Sequence, residues 1–379
     1  MAEKKKKYQR KDWIGCDLEK HYFGDDKKIS KEDRKRLQAK DRSKYKKSDI
    51  DKYEQQLNVE LANKADTENL LTGRVLSISG LGIAIEEQDG HLLYCTLRGV
   101  LKKERTHMKN LVTVGDFVLY EKISDDEGVI GFIKPRKSVL SRADNLSRKK
   151  EQLIAANIDQ VLITVSVVNP PLKPFLVDRY VIAARKGGML PVIVVNKVDL
   201  LSDHEEERAL YDAFITAYSQ AGLTLISVSA ETGEGMDELR HQMKGKASVF
   251  SGQSGVGKSS LINEITGLDL KVGETVQKTR KGSHTTTAAE LVPLDFGGWC
   301  IDTPGIKSFG VWDLDVAEAQ EYFPDIMRFS EACKFPDCSH FHEGQCGVKA
   351  AVEAGNLHPL RYDSYQFLID SITEEHKRR

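Results

Sequence analysis

Long hydrophobic runs are absent from this chain: no stretch approaches the roughly 18–20 apolar residues of a membrane span. The lysine-rich start, Met1 to Arg10, also lacks the apolar stretch of a secretory leader. Both absences point to a cytoplasmic protein with no membrane attachment. Net charge is nearly absent, at −1 over 379 residues, but the balance conceals an uneven distribution. Residues 1–52 carry about 19 Lys and Arg against about 11 Asp and Glu, an excess of roughly +8. Cysteine is scarce: Cys16, Cys95 and Cys300 are scattered, while Cys333, Cys338 and Cys346 cluster. An odd cluster beside histidine argues for metal rather than disulfides in a reducing compartment. No oligomerisation signal stands out, and a monomer is expected. The length exceeds one compact core and implies two or three domains.

What is present divides into four stretches. Residues 1–65 are polar, lysine-rich and poor in periodic apolar positions, so they read as a basic tail without fixed structure. A helix around Ile50 to Ala62 fits the pattern. A solvated tail and an arm that orders on RNA are both compatible with this composition. Residues 66–140 change to short alternating segments: Thr72 to Ile78, Gly82 to Ile85, Leu92 to Leu97, Phe117 to Tyr120 and Gly128 to Ile133. Asp89-Gly90 and Gly115-Asp116 punctuate them. Five strands in about 70 residues fit a small closed barrel of the OB type, a fold that binds RNA or single strands on one face. A generic barrel used for protein contact is the alternative. Arg98, Lys102, Lys103, Arg105, Lys109, Lys134, Arg136 and Lys137 favour RNA.

Pro135 to Lys150 reads as a basic linker leading into an α/β domain over 141–312. Val161 to Val165 and Pro191 to Val195 look like buried parallel strands, with a helix over Val177 to Lys186 between them. A helix over 208–221 follows, then a strand over Thr224 to Val228. Ala247 to Phe250 and Trp299 to Ile301 supply two more strands. The alternation predicts a doubly wound parallel sheet. Residues 313–379 read as helical around the cysteine cluster.

Several of these strands end in chemistry. Gly252, Gln253, Ser254, Gly255, Val256, Gly257, Lys258 and Ser259 satisfy G-x-x-x-x-G-K-S between a predicted strand and a predicted helix that Ser259 and Ser260 open. Glycines let backbone N–H groups curl around phosphate oxygens, and the helix start adds partial positive charge. Lys258 is expected on the β- and γ-phosphates and Ser259 on Mg²⁺. Asn196, Lys197 and Asp199 end a buried strand, where ligands dock on open α/β sheets. A carboxylate only accepts hydrogen bonds. Asp199 can therefore take the N1–H and amino donors of guanine, a pair that adenine lacks. Asn196 can brace the loop, the stem of Lys197 can cover the ring, and the backbone at Ser229 and Ala230 can contact guanine O6. Asp302 and Gly305, in Asp302-Thr303-Pro304-Gly305, are placed to hold Mg²⁺ through water and to sense a γ-phosphate. Ile306 follows, where signalling GTPases carry a water-orienting glutamine. That role is open to His284, whose imidazole could orient the attacking water; an exposed loop histidine is the bland alternative. Thr285, Thr286 and Thr287 are candidates to complete the Mg²⁺ shell, Thr286 foremost.

The spacing Cys333-x4-Cys338-x-His340-x5-Cys346 offers three thiolates and one imidazole, a closed set suited to one structural zinc. His342 is an alternative fourth ligand. With Lys334 and Lys349 nearby, the knuckle could also touch RNA.

The motifs run in a rotated order, with base recognition ahead of the phosphate loop. Together with Ala155 to Gln160, Gly282 to Thr287 and the Cys/His cluster, they resemble the circularly permuted, ribosome small-subunit-dependent GTPases, RsgA, over roughly residues 70–370. Ser283 departs from that resemblance, standing where a basic residue is expected. The resemblance implies late assembly of the small ribosomal subunit, weak GTP hydrolysis stimulated by that subunit, and release on hydrolysis. It also implies a catalytic His284 and a barrel that contacts rRNA. GTP, GDP, the small subunit and its rRNA are the expected partners. Two other readings differ in class: an RNA-binding scaffold in which nucleotide is mainly structural, and a small-molecule kinase, which does not need the base-reading loops.

Overall fold

A computed structural model of the chain describes residues 70–79, 82–98, 112–144, 147–267, 289–302 and 316–377. The basic tail and the helix expected around Ile50 to Ala62 lie outside them, as do Lys102, Lys103, Arg105 and Lys109. Contacts divide the chain into two compact units, Met1–Lys52 and Tyr53–Arg379, and every described residue belongs to the second.

Alternation closes the first part into a barrel. The strands β1 (Leu71–Ser79), β2 (Gly82–Glu86), β3 (Leu92–Leu97), β4 (Phe117–Lys122) and β5 (Glu127–Ile133) follow the order β1-β2-β3-β5-β4 around it. β3 and β5 run parallel and the other pairs antiparallel. Every second side chain points inward, so Val75, Ile83, Ile85, Leu93, Val118 and Ile130 form one core. Closure leaves no unpaired edge.

The segment after the barrel is not a linker. β6 (Val139–Asp144) and β7 (Ser147–Ala156) form a two-stranded antiparallel sheet. Its sequence hides it, because apolar residues occur mainly at the open end, away from the turn, where Leu140, Ala155 and Ala156 are buried. Charged residues elsewhere erase the period-2 signal, while the backbone ladder forms regardless.

A six-stranded sheet follows in the order β10-β9-β8-β11-β13-β12. Its strands are β8 (Gln160–Ser166), β9 (Leu190–Asn196), β10 (Thr224–Ser227), β11 (Ala247–Ser251), β12 (Glu290–Pro293) and β13 (Trp299–Asp302). All pair in parallel except β12, which runs antiparallel to β13 as an edge strand the periodicity did not predict. Helices α1 (Pro174–Lys186), α2 (Glu205–Gln220), α3 (Met236–Met243) and α4 (Lys258–Thr266) connect the strands. Residues of one strand serve opposite faces: Ile193 and Val195 join the core that includes residues of α1 and α2, while Val192 and Val194 join that of α3 and α4. This two-sided burial explains the unbroken Val/Ile runs.

The C-terminal part is helical, with α5 (Val316–Glu321), α6 (Pro324–Met327), α7 (Gly347–Glu353) and α8 (Pro359–Lys377). No helix among the described residues is long and apolar enough to cross a membrane. Helix α8 lies on α1, with the Phe175 and Phe367 rings 4.3 Å apart. At the centre of that seam Arg361, 2% exposed, pairs with Asp178 of α1 and donates from Nε to Asp325 of α6 at 2.8 Å. Its guanidinium stacks on the Phe323 and Tyr218 rings at 4.5 and 5.0 Å. Asp178 also accepts from Tyr218 Oη at 3.0 Å and Ser364 Oγ at 2.5 Å. Burial works against the charge on Arg361, but Asp178 and Asp325 raise its pKa and hold it protonated. Replacing Arg361 by Met leaves two buried carboxylates without their cation. The expected loss is about 3–5 kcal/mol of unfolding free energy in urea titrations; a loss below about 1 kcal/mol would show that the lock is marginal.

Candidate functional site

Two loops that the sequence marks for chemistry leave the same edge of the sheet. β8 is hydrogen-bonded in parallel to β9 and to β11, with Ser166 opposite Asn196 and Ile163 opposite Ser251. The base-reading loop and the phosphate loop therefore start about two strand spacings apart, roughly 10 Å.

The phosphate loop turns sharply out of β11. Gly252 has φ 147°, and a Cβ there would sit 2.1 Å from the Thr164 carbonyl oxygen. Gly257 has φ 92°, and its Cβ would meet Asn196 Nδ2 at 2.3 Å. Only glycine fits either position. Lys258 opens α4 and folds its ammonium onto the carbonyls of Gly252 and Gln253, both at 2.7 Å. Ser259 and Ser260 occupy the first turn and are half-buried, while Ser254 and Gly255 are exposed. The start of a helix carries partial positive charge on its N–H groups, which suits this turn to an anion.

Asn196 joins three loops. Buried to 2% exposure, it donates from Nδ2 to the Val256 carbonyl at 2.9 Å and accepts from the Ala230 N–H at 3.2 Å. Lys197 adopts a left-handed backbone, φ 65°, and its ammonium donates to the Asn169 and Gly255 carbonyls at 2.6 and 2.7 Å. Asn169 is a partner that spacing could not reveal. Ser229 is fully buried; its hydroxyl accepts from Thr232 N–H at 3.1 Å, closing the turn that presents Ala230. Asp199 lies in the short 3-10 turn Val198–Asp203. Its Oδ1 is buried and has no hydrogen-bond partner among the described residues. A buried acceptor of this kind is costly unless a ligand supplies the donor.

His284, Thr285, Thr286, Thr287 and Gly305 lie outside the described residues. Asp302 ends β13, its backbone in register with Glu290 of β12.

The second cluster is in the C-terminal part. One ligand atom each from Cys333, Cys338, His340 and Cys346 lies within 4.8 Å of all the others. Cys333 Sγ is 3.8 Å from Cys346 Sγ, and His340 Nδ1 is 3.6 and 3.5 Å from those sulfurs. Sulfurs bound about 2.3 Å from a tetrahedral zinc stand about 3.8 Å apart, so the set fits that ion. His342 is exposed and outside the cluster. The choice between the two histidines comes from the backbone: His340 takes φ 64°, and its carbonyl accepts from Tyr362 Oη at 2.6 Å. Glu343, which spacing did not single out, braces this loop. One oxygen accepts from the Ser339 N–H and hydroxyl at 2.8 and 2.6 Å, the other from the Phe341 and His342 N–H groups at 3.0 and 3.1 Å. The Ser339 hydroxyl, helped by these N–H groups, pulls its pKa down to about 2.

Removing the Asn196 side chain breaks both bonds between the loops and leaves the Val256 carbonyl and Ala230 N–H wanting partners. Asn196→Ala is expected to cost about 2 kcal/mol in ligand-free chemical denaturation. An unchanged midpoint would mean that the loops hold one another without it.

Comparison with known proteins converges on one group. A family model described as RsgA GTPase matches residues 133–312. The small ribosomal subunit biogenesis GTPase RsgA of Chlorobaculum parvum is 39% identical over 314 residues, covering 80% of this chain and 99% of the relative. The protein of that name from Actinobacillus succinogenes is 38% identical over 312 residues, covering 81% and 86%. Among solved structures, YjeQ from Thermotoga maritima superposes with a TM-score of 0.64 at 32% identity, covering 80% of this chain and 99% of that one. YloQ, described as a circularly permuted GTPase, gives 0.64 at 27% identity, covering 82% and 97%.

Proposed function

The chain belongs to the RsgA GTPase family, and we propose that it hydrolyses GTP as a late maturation factor of the small ribosomal subunit. The observation that carries the base assignment is the unpartnered, buried Oδ1 of Asp199. Guanine offers N1–H and an amino group to a carboxylate, which answers that orphan acceptor; adenine offers a ring acceptor at the same edge. Asn196 braces the loop, Lys197 covers the ring, and the backbone at Ser229 and Ala230 meets O6.

Phosphates lie in the loop from Gly252 to Gly257, with Gln253, Ser254, Gly255 and Val256 offering backbone N–H groups and Ser260 extending the helix start. On binding, Lys258 exchanges its two loop carbonyls for phosphate oxygens. Ser259, Thr286 and Asp302 would hold Mg²⁺, which when bound neutralises charge developing between the β- and γ-phosphates. Gly305 senses the γ-phosphate, and His284 orients the attacking water in the place of the missing glutamine. The chemistry is direct phosphoryl transfer to water, resting on positioning rather than a covalent intermediate. The barrel contacts rRNA, GTP loading permits docking, and hydrolysis releases the factor. A cytoplasmic monomer fits this role.

Hydrolysis of GTP and ATP, each with and without small subunits, tests the reading. GTP turnover stimulated by subunits, with ATP inert, is the expected result; equal use of ATP overturns the base assignment. His284→Ala is expected to keep GTP affinity and lose about 10²-fold or more of stimulated turnover. Wild-type turnover in that variant removes His284 from the mechanism. Binding to subunits that ignores GDP against a GTP analogue would instead leave an RNA-binding scaffold.

Cys333, Cys338, His340 and Cys346 hold one structural zinc, with no ligand position left open for chemistry. Metal analysis of the purified chain is expected to find about one zinc, and chelation to melt the C-terminal helices, because such sites contribute folding energy. Helical content indifferent to chelation would contradict a structural metal.

A further inference from the structure

The barrel does not hang from the sheet by its chain connection alone. It grips the β12–β13 hairpin, whose strands border the segments expected to sense the γ-phosphate: β12 begins at Glu290, just after 281–287, and β13 ends at Asp302. Trp299, at the start of β13, donates its indole N–H to Glu86 Oε2 at the end of β2, 2.8 Å away. Arg74 of β1 lies over the Trp299 ring at 4.4 Å and over the Phe117 ring of β4 at 5.1 Å. The same Arg74, 6% exposed, donates from Nη2 to the Asn157 carbonyl at 2.8 Å. Asn157 in turn donates from Nδ2 to the Gly115 carbonyl at 3.0 Å and accepts from the Lys137 N–H at 2.9 Å.

These directional contacts stand beside apolar packing, since Leu76 of β1 and Val114 share one core with Leu291 of β12, and Trp299 packs against it. The cation of this seam is buried but incompletely satisfied, since Arg74 Nε has no partner among the described residues. Burial lowers the Arg74 pKa, opposed by Asp159 and Glu86. A buried cation held by ring faces depends on where those rings stand. A shift of β13 along its neighbours moves the indole relative to both Glu86 and Arg74. The position is therefore sensitive to the register of the strand that delivers Asp302.

We propose that Trp299 is the coupling contact between the barrel and the nucleotide site. The nucleotide bound biases the barrel through the β12–β13 hairpin, and a ligand bound to the barrel biases nucleotide affinity by the same factor, as linkage requires. The inference rests on the guanine-nucleotide reading above and goes beyond it by naming the residue that carries the signal.

Amide hydrogen exchange of the full chain, loaded with Mg²⁺ and either GDP or a non-hydrolysable GTP analogue, tests it. Exchange in β1 and β2 is expected to differ between the two states by about fivefold in the wild type. Trp299→Leu should reduce that difference to less than about twofold while α4 stays protected by both nucleotides. Trp299→Phe keeps a ring for Arg74 but loses the N–H to Glu86, so it should fall between, and it decides the matter if the Leu variant does not fold. A seam that is merely structural gives a different pattern: the variants speed barrel exchange equally in both states and the full difference survives. That result overturns the coupling, as does a wild-type barrel that ignores the nucleotide while α4 is protected. If neither nucleotide protects α4, the guanine reading itself falls, and the coupling with it.

Discussion

Parallel pairing of β8 on both of its sides is the constraint on which the nucleotide site depends. Because β9 and β11 both run alongside it in the same direction, their carboxyl ends emerge at one edge. Loops separated in sequence by more than fifty residues then open within reach of a single ligand. Asn196 converts that proximity into a fixed geometry, since one amide group has a donor for the phosphate loop and an acceptor for the Ser229–Ala230 turn. Close packing leaves no room for error here: the Cβ that Gly257 lacks would stand 2.3 Å from Asn196 Nδ2. None of this requires a particular chain order. A sheet is assembled by contacts in space, so base recognition can precede the phosphate loop without changing the pocket.

The two flanking modules are attached by different uses of the same residue type. At the C-terminal seam Arg361 has two carboxylates and two ring faces, a full set of partners for a cation out of water. At the barrel seam Arg74 has one carbonyl and two ring faces, and one N–H is left over. The first arrangement favours a single rigid docking geometry. The second holds two bodies together while leaving the contact open to change, the property expected where one module must respond to another.

How much was legible in the sequence follows from how local each signal is. The phosphate loop and base-reading loop could be read because each follows an apolar Val/Ile-rich run, Ala247 to Phe250 or Pro191 to Val195, and burial on both faces demands such runs. The barrel was legible because its strands alternate. The β6–β7 hairpin was not, since the apolar residues that mark it are confined to its open end and charges dominate the strands toward the turn. The reversed direction of β12 leaves no trace in a four-residue strand. Nor could Arg361 be matched with Asp178 and Asp325: ionic partners in distant helices carry no periodicity. Cysteine spacing narrowed the candidate metal cluster to two histidines, and the fold places the His340 ring among the sulfurs while leaving His342 exposed.

The rotated order carries a structural cost, and the seams explain how it is met. Cutting a nucleotide-binding domain at a new place creates two ends that would otherwise fray, and fraying would loosen the very strands that hold the ligand. Among the described residues, the segments flanking both ends are anchored. Ahead of β8, Asn157 is held from three directions, by Gly115, Lys137 and Arg74, before the first strand of the sheet begins. Beyond β13 the chain continues into the helices that Arg361 locks back onto α1, which itself follows β8. Both new ends are thus returned to the neighbourhood of the same central strand. A barrel and a helical unit carrying the Cys/His cluster at these positions replace the continuity that the rotation removed. They also place a module at each point where the chain enters and leaves the sheet.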